Sequence, residues 1–422
     1  MSDHASREAP VVDRVRAYWL QRGTNLLCAA NVLMAIVAVI WLAYQFWRLV
    51  WAAPAIWPTS PHGAIDLGLR HLEVQRWFAG LPVYGTLPDA VYPPASYAIL
   101  WALLGWLSFE RARILWAAGT VIALAWLIHL IVRESGARTR LERTFVALMP
   151  LAMYATGAAI GNGQLVVHLL AALLTGLLLC QRQSALRCQV AGAALVVLSL
   201  VKPSLSLPFL WLVLFGNGGV ALLLFVTACY LALTFLAASL QPGSVVQLLG
   251  KWMAGSLTTL SQKGVPTLHT FLEGIGLGHL RTLGSGVLLA GLGLWTYRHR
   301  RVSPWLLMSV AALVSRFWTY HRWYDDLILL VPMVSLFRIS WGGPYPDGRD
   351  VAAGVLLGCS MLLSLAPGGR YLFPAPWDEV YAAGQLVVWG AVSLLLLGQA
   401  RYERAALGAS THDTRSPPQQ AL

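Results

Sequence analysis

Ionisable side chains are scarce in this chain, and they gather where apolar runs stop. Asp66, Arg70 and Glu73 follow the first long apolar run, and Arg111 and Arg113 follow a later break. Asn162 and Gln164 stand in the turn GNGQ (161–164) and Lys202 in the break VKPS (201–204). Arg316, His321, Arg322, Tyr324, Asp325 and Asp326 share the stretch RFWTYHRWYDD (316–326). Polar groups at membrane depth are costly, so a collection of them marks a candidate site. Their types suit transfer of a group from a lipid phosphate to a hydroxyl. A carboxylate accepts the proton of the attacking hydroxyl. Lysine and arginine neutralise a departing phosphate through charge-assisted hydrogen bonds. The Trp and Tyr nearby offer faces for a sugar ring or walls for an isoprenoid groove. No Walker loop, G-x-G-x-x-G, H-E-x-x-H or G-x-S-x-G is present, so nucleotide, zinc-protease and serine-hydrolase chemistry lacks support.

Each residue also has an ordinary structural reading. Asp66 and Arg70, four apart on a helix, make a surface pair worth a few tenths of a kcal/mol, and Glu73 lies on the same face. Lys202, at a helix end before a proline, suits a lysine snorkelling to the headgroups. His321 inside WTYHRWY suits an interfacial aromatic belt, and Gln164 suits a helix cap. Asp325 and Asp326 open a helix, where acidic side chains meet the positive end of the dipole; for Asp326 that reading is preferred.

The elements that must position these groups are apolar. The 422 residues are 57% hydrophobic and 11% charged, and the mean hydropathy is +0.63. A soluble domain carries about a quarter charged residues, so the composition specifies an all-α polytopic membrane protein. Its 19 Trp and 14 Tyr fit that class, since both rings favour the membrane–water interface. The net charge of +12 comes from short basic loops between apolar segments, a pattern of membrane orientation and lipid contact. No basic-plus-aromatic module points to nucleic acid. The five cysteines show neither a C-x-x-C nor a Cys/His spacing, so no zinc site or disulfide framework is indicated.

Apolar segments of spanning or near-spanning length lie at 26–50, 114–132, 143–160, 164–181, 188–201, 205–216, 219–240, 283–298, 303–317, 324–339, 351–366 and 381–399. The basic loops 133–143, 181–187, 298–301 and 401–404 are assigned to the cytoplasm, as is the Arg-bearing N-terminus. With about twelve crossings, both termini are cytoplasmic. The chain then divides into a cytoplasmic segment (1–25), one transmembrane domain (26–400) and a polar, unstructured tail (401–422). The polar candidates fall on one outer side, in a first external loop (51–113), a long external loop (241–282) and the turns between. Parity makes 94–107 an interfacial or re-entrant helix within the first loop rather than a crossing.

With these residues in place, the chain resembles glycosyltransferase family 87, polytopic glycosyltransferases of the GT-C class. Three motifs carry the resemblance. One is Asp66 followed by LPVYGTLPDAVYPPASY, containing Tyr92. Another is GNGQLVVHLLAALLTGLLL with the later VAGAALVVLSLVKPSLSLPFLW. The last is the H-x-x-Y-D of His321, Tyr324 and Asp325. They cover residues of about 60 to 340, and YPP, GNGQ and VKPS in this order are fairly specific.

The resemblance implies a GT-C fold in a bacterial cytoplasmic membrane, with the active site facing the periplasm or exterior. It implies transfer of a mannose- or arabinofuranose-type sugar from a polyprenyl-phosphate donor to an envelope glycolipid or polysaccharide. Asp66 is then the general base of an inverting displacement. Lys202, His321, Arg316 and Arg322 become the donor-phosphate contacts. Arg70, Tyr92, Asn162, Gln164, Tyr324 and Asp325 bind the sugar or acceptor or shape the site. The 241–282 loop departs from the family pattern in QKGVPTLHTFLE, which leaves the acceptor open. No D-x-D cluster stands in the first loop, so no cofactor is expected and a divalent metal is unsupported. Two other classes stay in view. A lipid-linked sugar transporter or flippase would want paired broken helices and charges at the midplane, and a non-catalytic scaffold of envelope assembly would not need Asp66, Lys202 and His321 to converge.

Overall fold

The computed structural model describes residues 11–52, 63–87, 89–182, 185–259, 266–343, 345 and 347–413. Residues 1–10 of the N-terminal segment, 53–62 of the first external loop, 260–265 of the long loop and 414–422 of the tail lie outside them. Among the described residues the protein is helical throughout, with one isolated antiparallel bridge, Met153 to Leu365.

The first helix α1 (Val11–Val50) leads to α2 (Ile65–Phe78) and α3 (Pro94–Leu100). A π-helical turn (Trp101–Gly105) extends α3 before α4 (Phe109–Ser135). Next come α5 (Arg140–Ala152), α6 (Tyr154–Asn162), α7 (Val166–Arg182) and α8 (Leu186–Ser199). After a break follow α9 (Pro203–Ser206), α10 (Leu210–Phe215) and α11 (Gly219–Ala238). Next come α12 (Val245–Thr259), α13 (Leu268–Gly274), α14 (Arg281–Arg298) and α15 (Pro304–Phe317). A 3-10 turn (Trp323–Leu329) opens α16 (Leu330–Trp341), followed by α17 (Arg349–Ser364), α18 (Gly369–Leu372) and α19 (Trp377–Asp413).

Among the described residues, four helical stretches are long and apolar enough to cross a membrane: Gly23–Val50, Phe109–Ser135, Gly219–Ala238 and Trp377–Leu407. The pair α6–α7, bent by 116°, is a fifth if counted as one span. Exposed Val39, Ile40, Ile122, Leu224 and Leu394 on these stretches are what a lipid-facing surface requires. The count is smaller than the twelve segments of the sequence because several of those are broken. The 143–160 run stops at Met153, whose backbone is extended, and on either side of the expected break at Lys202 the helices are short, α8 of 14 residues and α10 of 6. The 324–339 run starts as the 3-10 turn rather than as α-helix. Where an unstructured tail was expected from 401, α19 continues to Asp413.

The 94–107 stretch forms a short apolar helix. Pro94–Gly105 reaches about 18 Å at 1.5 Å per residue, too little for a hydrocarbon layer of about 30 Å. Its YPP motif has a local physical reason. Proline pushes its predecessor to extended backbone, so Pro93 (φ −69°, ψ 161°) ends the loop and Pro94 starts the helix at its first turn. This helix packs on α2 and α11. Fully buried Trp77 joins them by stacking on Tyr97 at 4.4 Å and donating to the Ala237 carbonyl at 2.8 Å.

Candidate active site

Asp66 stands in the first turn of α2, half-buried, where the positive end of the helix favours a carboxylate. The preceding Ala64 is buried and left-handed (φ +55°), and its N–H donates to the Gly161 carbonyl at 2.8 Å. A non-glycine residue in that region is a strained position held by its surroundings. The turn GNGQ supplies them. Gly163 has φ +71°, and a Cβ there would come within 2.5 Å of the Leu67 Cβ. A Cβ on Gly161 would meet Gln45 Oε1 at 1.9 Å. The glycines therefore let the α6–α7 turn lie directly against α2, which brings buried Gln164 to Asp66 as a hydrogen-bond partner.

Lys202 reaches the same place from the α8–α9 break. Pro203 forces it out of helical conformation (φ −122°, ψ 83°). Carbonyls freed by the break are met by side chains. Ser206 Oγ donates to Ser199 O (3.0 Å), and Ser96 Oγ of α3 donates to Val201 O (2.8 Å). Ser315 Oγ and Trp318 Nε1, at the end of α15, donate to Leu205 O and Ser204 O, each at 2.7 Å. Those bonds fix the break against the RFWTYHRWYDD stretch. Lys202 Nζ forms a buried ion pair with Asp325 and sits 5.0 Å from the centre of the Tyr324 ring. Asp325 Oδ2 also accepts the Arg322 N–H at 3.1 Å, capping the 3-10 turn.

Asp326 faces the other way and is a hub. Arg316 pairs with it, Tyr154 donates to it, and His321 Nε2 donates to its Oδ1 at 3.0 Å. Arg316 is only 2% exposed, and its Nη1 donates to the Pro266 carbonyl at 3.1 Å. The guanidinium and imidazole expected to face a donor phosphate are thus engaged with Asp326. The preferred reading of Asp326 as a helix-end acid gives way to a buried anchor, because Tyr154, distant in sequence, completes its shell. Arg322 is the most accessible of the predicted cations, with its side chain 35% exposed and 3.9 Å from Asp89. Arg70 leans over the Tyr92 ring (4.4 Å), donates to the Asp89 carbonyl (3.0 Å) and pairs with Glu73 at 2.9 Å.

Asp66, Arg70, Tyr92, Gln164, Lys202, Arg322, Tyr324 and Asp325 therefore share one cluster, with Arg316 and His321 behind it. Asn162 lies at its edge, accepting from Arg48 Nη2 at 3.2 Å and so fixing the end of α1. Arg113 has a similar supporting part: its guanidinium donates to Leu49 O (2.6 Å) and Ala52 O (2.7 Å), which tethers the α1 C-terminus.

The electrostatics follow the packing. Burial raises the Asp66 carboxyl above its ordinary value, against the Gln164 hydrogen bond and the fields of Arg70, Lys202 and Arg322. Burial pushes Glu73 up to about 7, although Arg70 opposes it. Asp326 is matched on all sides by Arg316, His321 and Tyr154. Burial and Arg316 hold His321 down, so the neutral imidazole is favoured, with its Nε2 bonded to Asp326. Among the described residues no group of three His, Cys, Asp or Glu is placed to hold a metal ion.

Sequence reasoning passed over Asp89, Tyr154 and the burial of Glu73. Asp89 carried a signal, being an acidic residue beside the YPP motif; Tyr154 carried none. In comparisons with known proteins, the family described as Glycosyltransferase family 87 matches over residues 90–326, more than half of the chain. That span starts after Asp66 and ends on Asp326. No curated protein and no solved structure matches the chain.

Proposed function

The chain belongs to glycosyltransferase family 87, so it is a membrane glycosyltransferase, and from that premise we propose a specific reaction. It takes a sugar of the mannose or arabinofuranose type from a polyprenyl-phosphate donor. The sugar goes to a hydroxyl of an envelope glycolipid or polysaccharide, at the outer face of a bacterial cytoplasmic membrane. In this reading the fold is GT-C with about twelve crossings and cytoplasmic termini.

The observation that carries the proposal is the joining of three separate segments: Lys202 of the VKPS break pairs with Asp325, the neighbouring Arg322 stands 3.9 Å from Asp89, and the Asp89 carbonyl is held by Arg70, one turn from Asp66. Asp66 removes the proton of the acceptor hydroxyl, whose oxygen attacks the anomeric carbon from the side opposite the phosphate. The carbon–oxygen bond to phosphate breaks, and the electron pair leaves with polyprenyl phosphate, whose growing charge Lys202 and Arg322 neutralise. The leaving group is already a phosphate, so no general acid is needed. Arg316 and His321 act behind this site by holding Asp326, and Tyr324 and Tyr92 give the sugar aromatic and hydroxyl contacts. The raised Asp66 carboxyl suits a base, since proton affinity nearer the working pH improves proton removal.

The test is an assay of the purified protein against a panel of polyprenyl-phosphate sugars with a lipid-linked acceptor. Consumption of one donor, with appearance of free polyprenyl phosphate, is the expected result. A panel in which no donor is consumed by folded protein would overturn the donor assignment.

A further inference from the structure

Arg70 has two carboxylates within helical reach on its own helix: Asp66 four residues before it and Glu73 three after. Helical side chains lean toward the N-terminus, and an acid four residues before a base is the favoured order for a pair. Both tendencies direct Arg70 to Asp66. It is instead paired with Glu73 at 2.9 Å. Its Nη2 also donates to the Asp89 carbonyl, and the guanidinium lies over the Tyr92 ring. Glu73 is fully buried and neither of its oxygens has a well-directed hydrogen bond, although the Tyr97 hydroxyl of α3 faces it and Tyr84 and Asp89 lie in its field. A buried carboxylate with a single ionic partner is expensive, and helix packing alone would be served better by an apolar residue.

We propose that Glu73 is a positioning residue for the transfer reaction: by engaging Arg70 it keeps the guanidinium from closing onto Asp66, so that Asp66 remains a competent base. The proposal rests on the reading of Asp66 as the base. The other groups facing Asp66 are Gln164 from the α6–α7 turn, Lys202 from the α8–α9 break and Arg322 before the 3-10 turn. Tyr92 and Tyr324 lie within its field. Lys202 is already matched by Asp325, and Arg322 stands beside Asp89. Arg70 is thus the cation whose release would change Asp66 most. Burial pushes Glu73 up to about 7, so its ionic hold on Arg70 is full above that pH, and below it the Asp89 carbonyl and the Tyr92 ring are what keep the guanidinium in place.

The experiment is the pH dependence of kcat/KM for Glu73→Leu, Glu73→Gln, Arg70→Met and the double variant Glu73→Leu/Arg70→Met. A cation moving to within about 4–6 Å lowers a carboxyl by about 1–3 pH units. Glu73→Leu is therefore expected to move the acidic limb down by about that much, with a slower plateau. Glu73→Gln, which keeps an acceptor for Arg70, moves it less. The double variant abolishes the downward shift, because the effect of Glu73 passes through Arg70. A purely structural Glu73 would change yield without moving the limb. If Glu73→Leu does not fold, Glu73→Gln carries the test: a smaller downward shift that Arg70→Met cancels is expected, and an unmoved limb in folded Glu73→Gln overturns the proposal. An unmoved limb in folded Glu73→Leu, with Asp66→Asn inactive, overturns this inference and leaves the base assignment standing. Normal turnover in Asp66→Asn overturns both.

Discussion

The Lys202–Asp325 pair joins the VKPS break to the 3-10 turn, and a double-mutant cycle measures what it holds. The side chains are 10% and 2% exposed, so solvent screens the pair little. At a contact distance of about 3 Å and an effective dielectric constant of about 20, the Coulomb attraction is about 5 kcal/mol. Desolvation offsets much of that for the pair as a whole, but removing one partner strands the other, at a cost of about 3–5 kcal/mol. Lys202→Met leaves Asp325 with the Arg322 N–H as its remaining described partner. Asp325→Asn leaves an ammonium over the Tyr324 ring without its carboxylate partner. Each kcal/mol corresponds to about 2 °C in a long chain, so each single variant should lose about 6–10 °C of Tm in detergent. The double variant Lys202→Met/Asp325→Asn should lose less than the sum by at least about 2 kcal/mol. Additive losses, or single variants within about 0.5 kcal/mol of the parent, would refute the view that this pair fixes the break against the turn.

Two other outcomes follow from the same geometry. Asp66 is raised by burial, so kcat/KM should fall as pH drops through a value above the ordinary carboxylate range of about 4; a limb at or below that value in a pH–rate profile would contradict its burial. Gly163→Ala puts a Cβ 2.5 Å from Leu67 at a left-handed position; it should cost at least about 1–2 kcal/mol and move Gln164 off Asp66, read as a lower Tm together with a lower kcat.

Much of this site was legible because charge is so rare in the chain. Asp66, Lys202 and the 316–326 stretch stood out against apolar surroundings, and the topology placed them on one side. GNGQ and VKPS have local physical causes, a left-handed glycine and a pre-proline break, that act over a few residues and can be read from sequence. Glu73 was different. By spacing it belonged to a surface pair, and it is fully buried because α3, its π-helical turn and α11 pack around α2 and its surroundings. No local pattern reports that covering. Asp326 was misjudged for the same reason, since the hydroxyl that completes its shell belongs to Tyr154, 172 positions away. The number of crossings was obscured by breaks such as Met153, where an extended residue interrupts an apolar run with no proline or glycine at that position.

The central claim is that Asp66 takes the proton from the acceptor hydroxyl. Asp66→Asn keeps the shape and the Gln164 contact but removes the basic oxygen. The decisive measurement is single-turnover transfer from a bound polyprenyl-phosphate sugar by this variant, beside its equilibrium binding of the donor. The account predicts donor binding within a few-fold of the parent and transfer lowered by about 100-fold or more, the usual scale of general-base catalysis. Near-normal transfer by Asp66→Asn would contradict it.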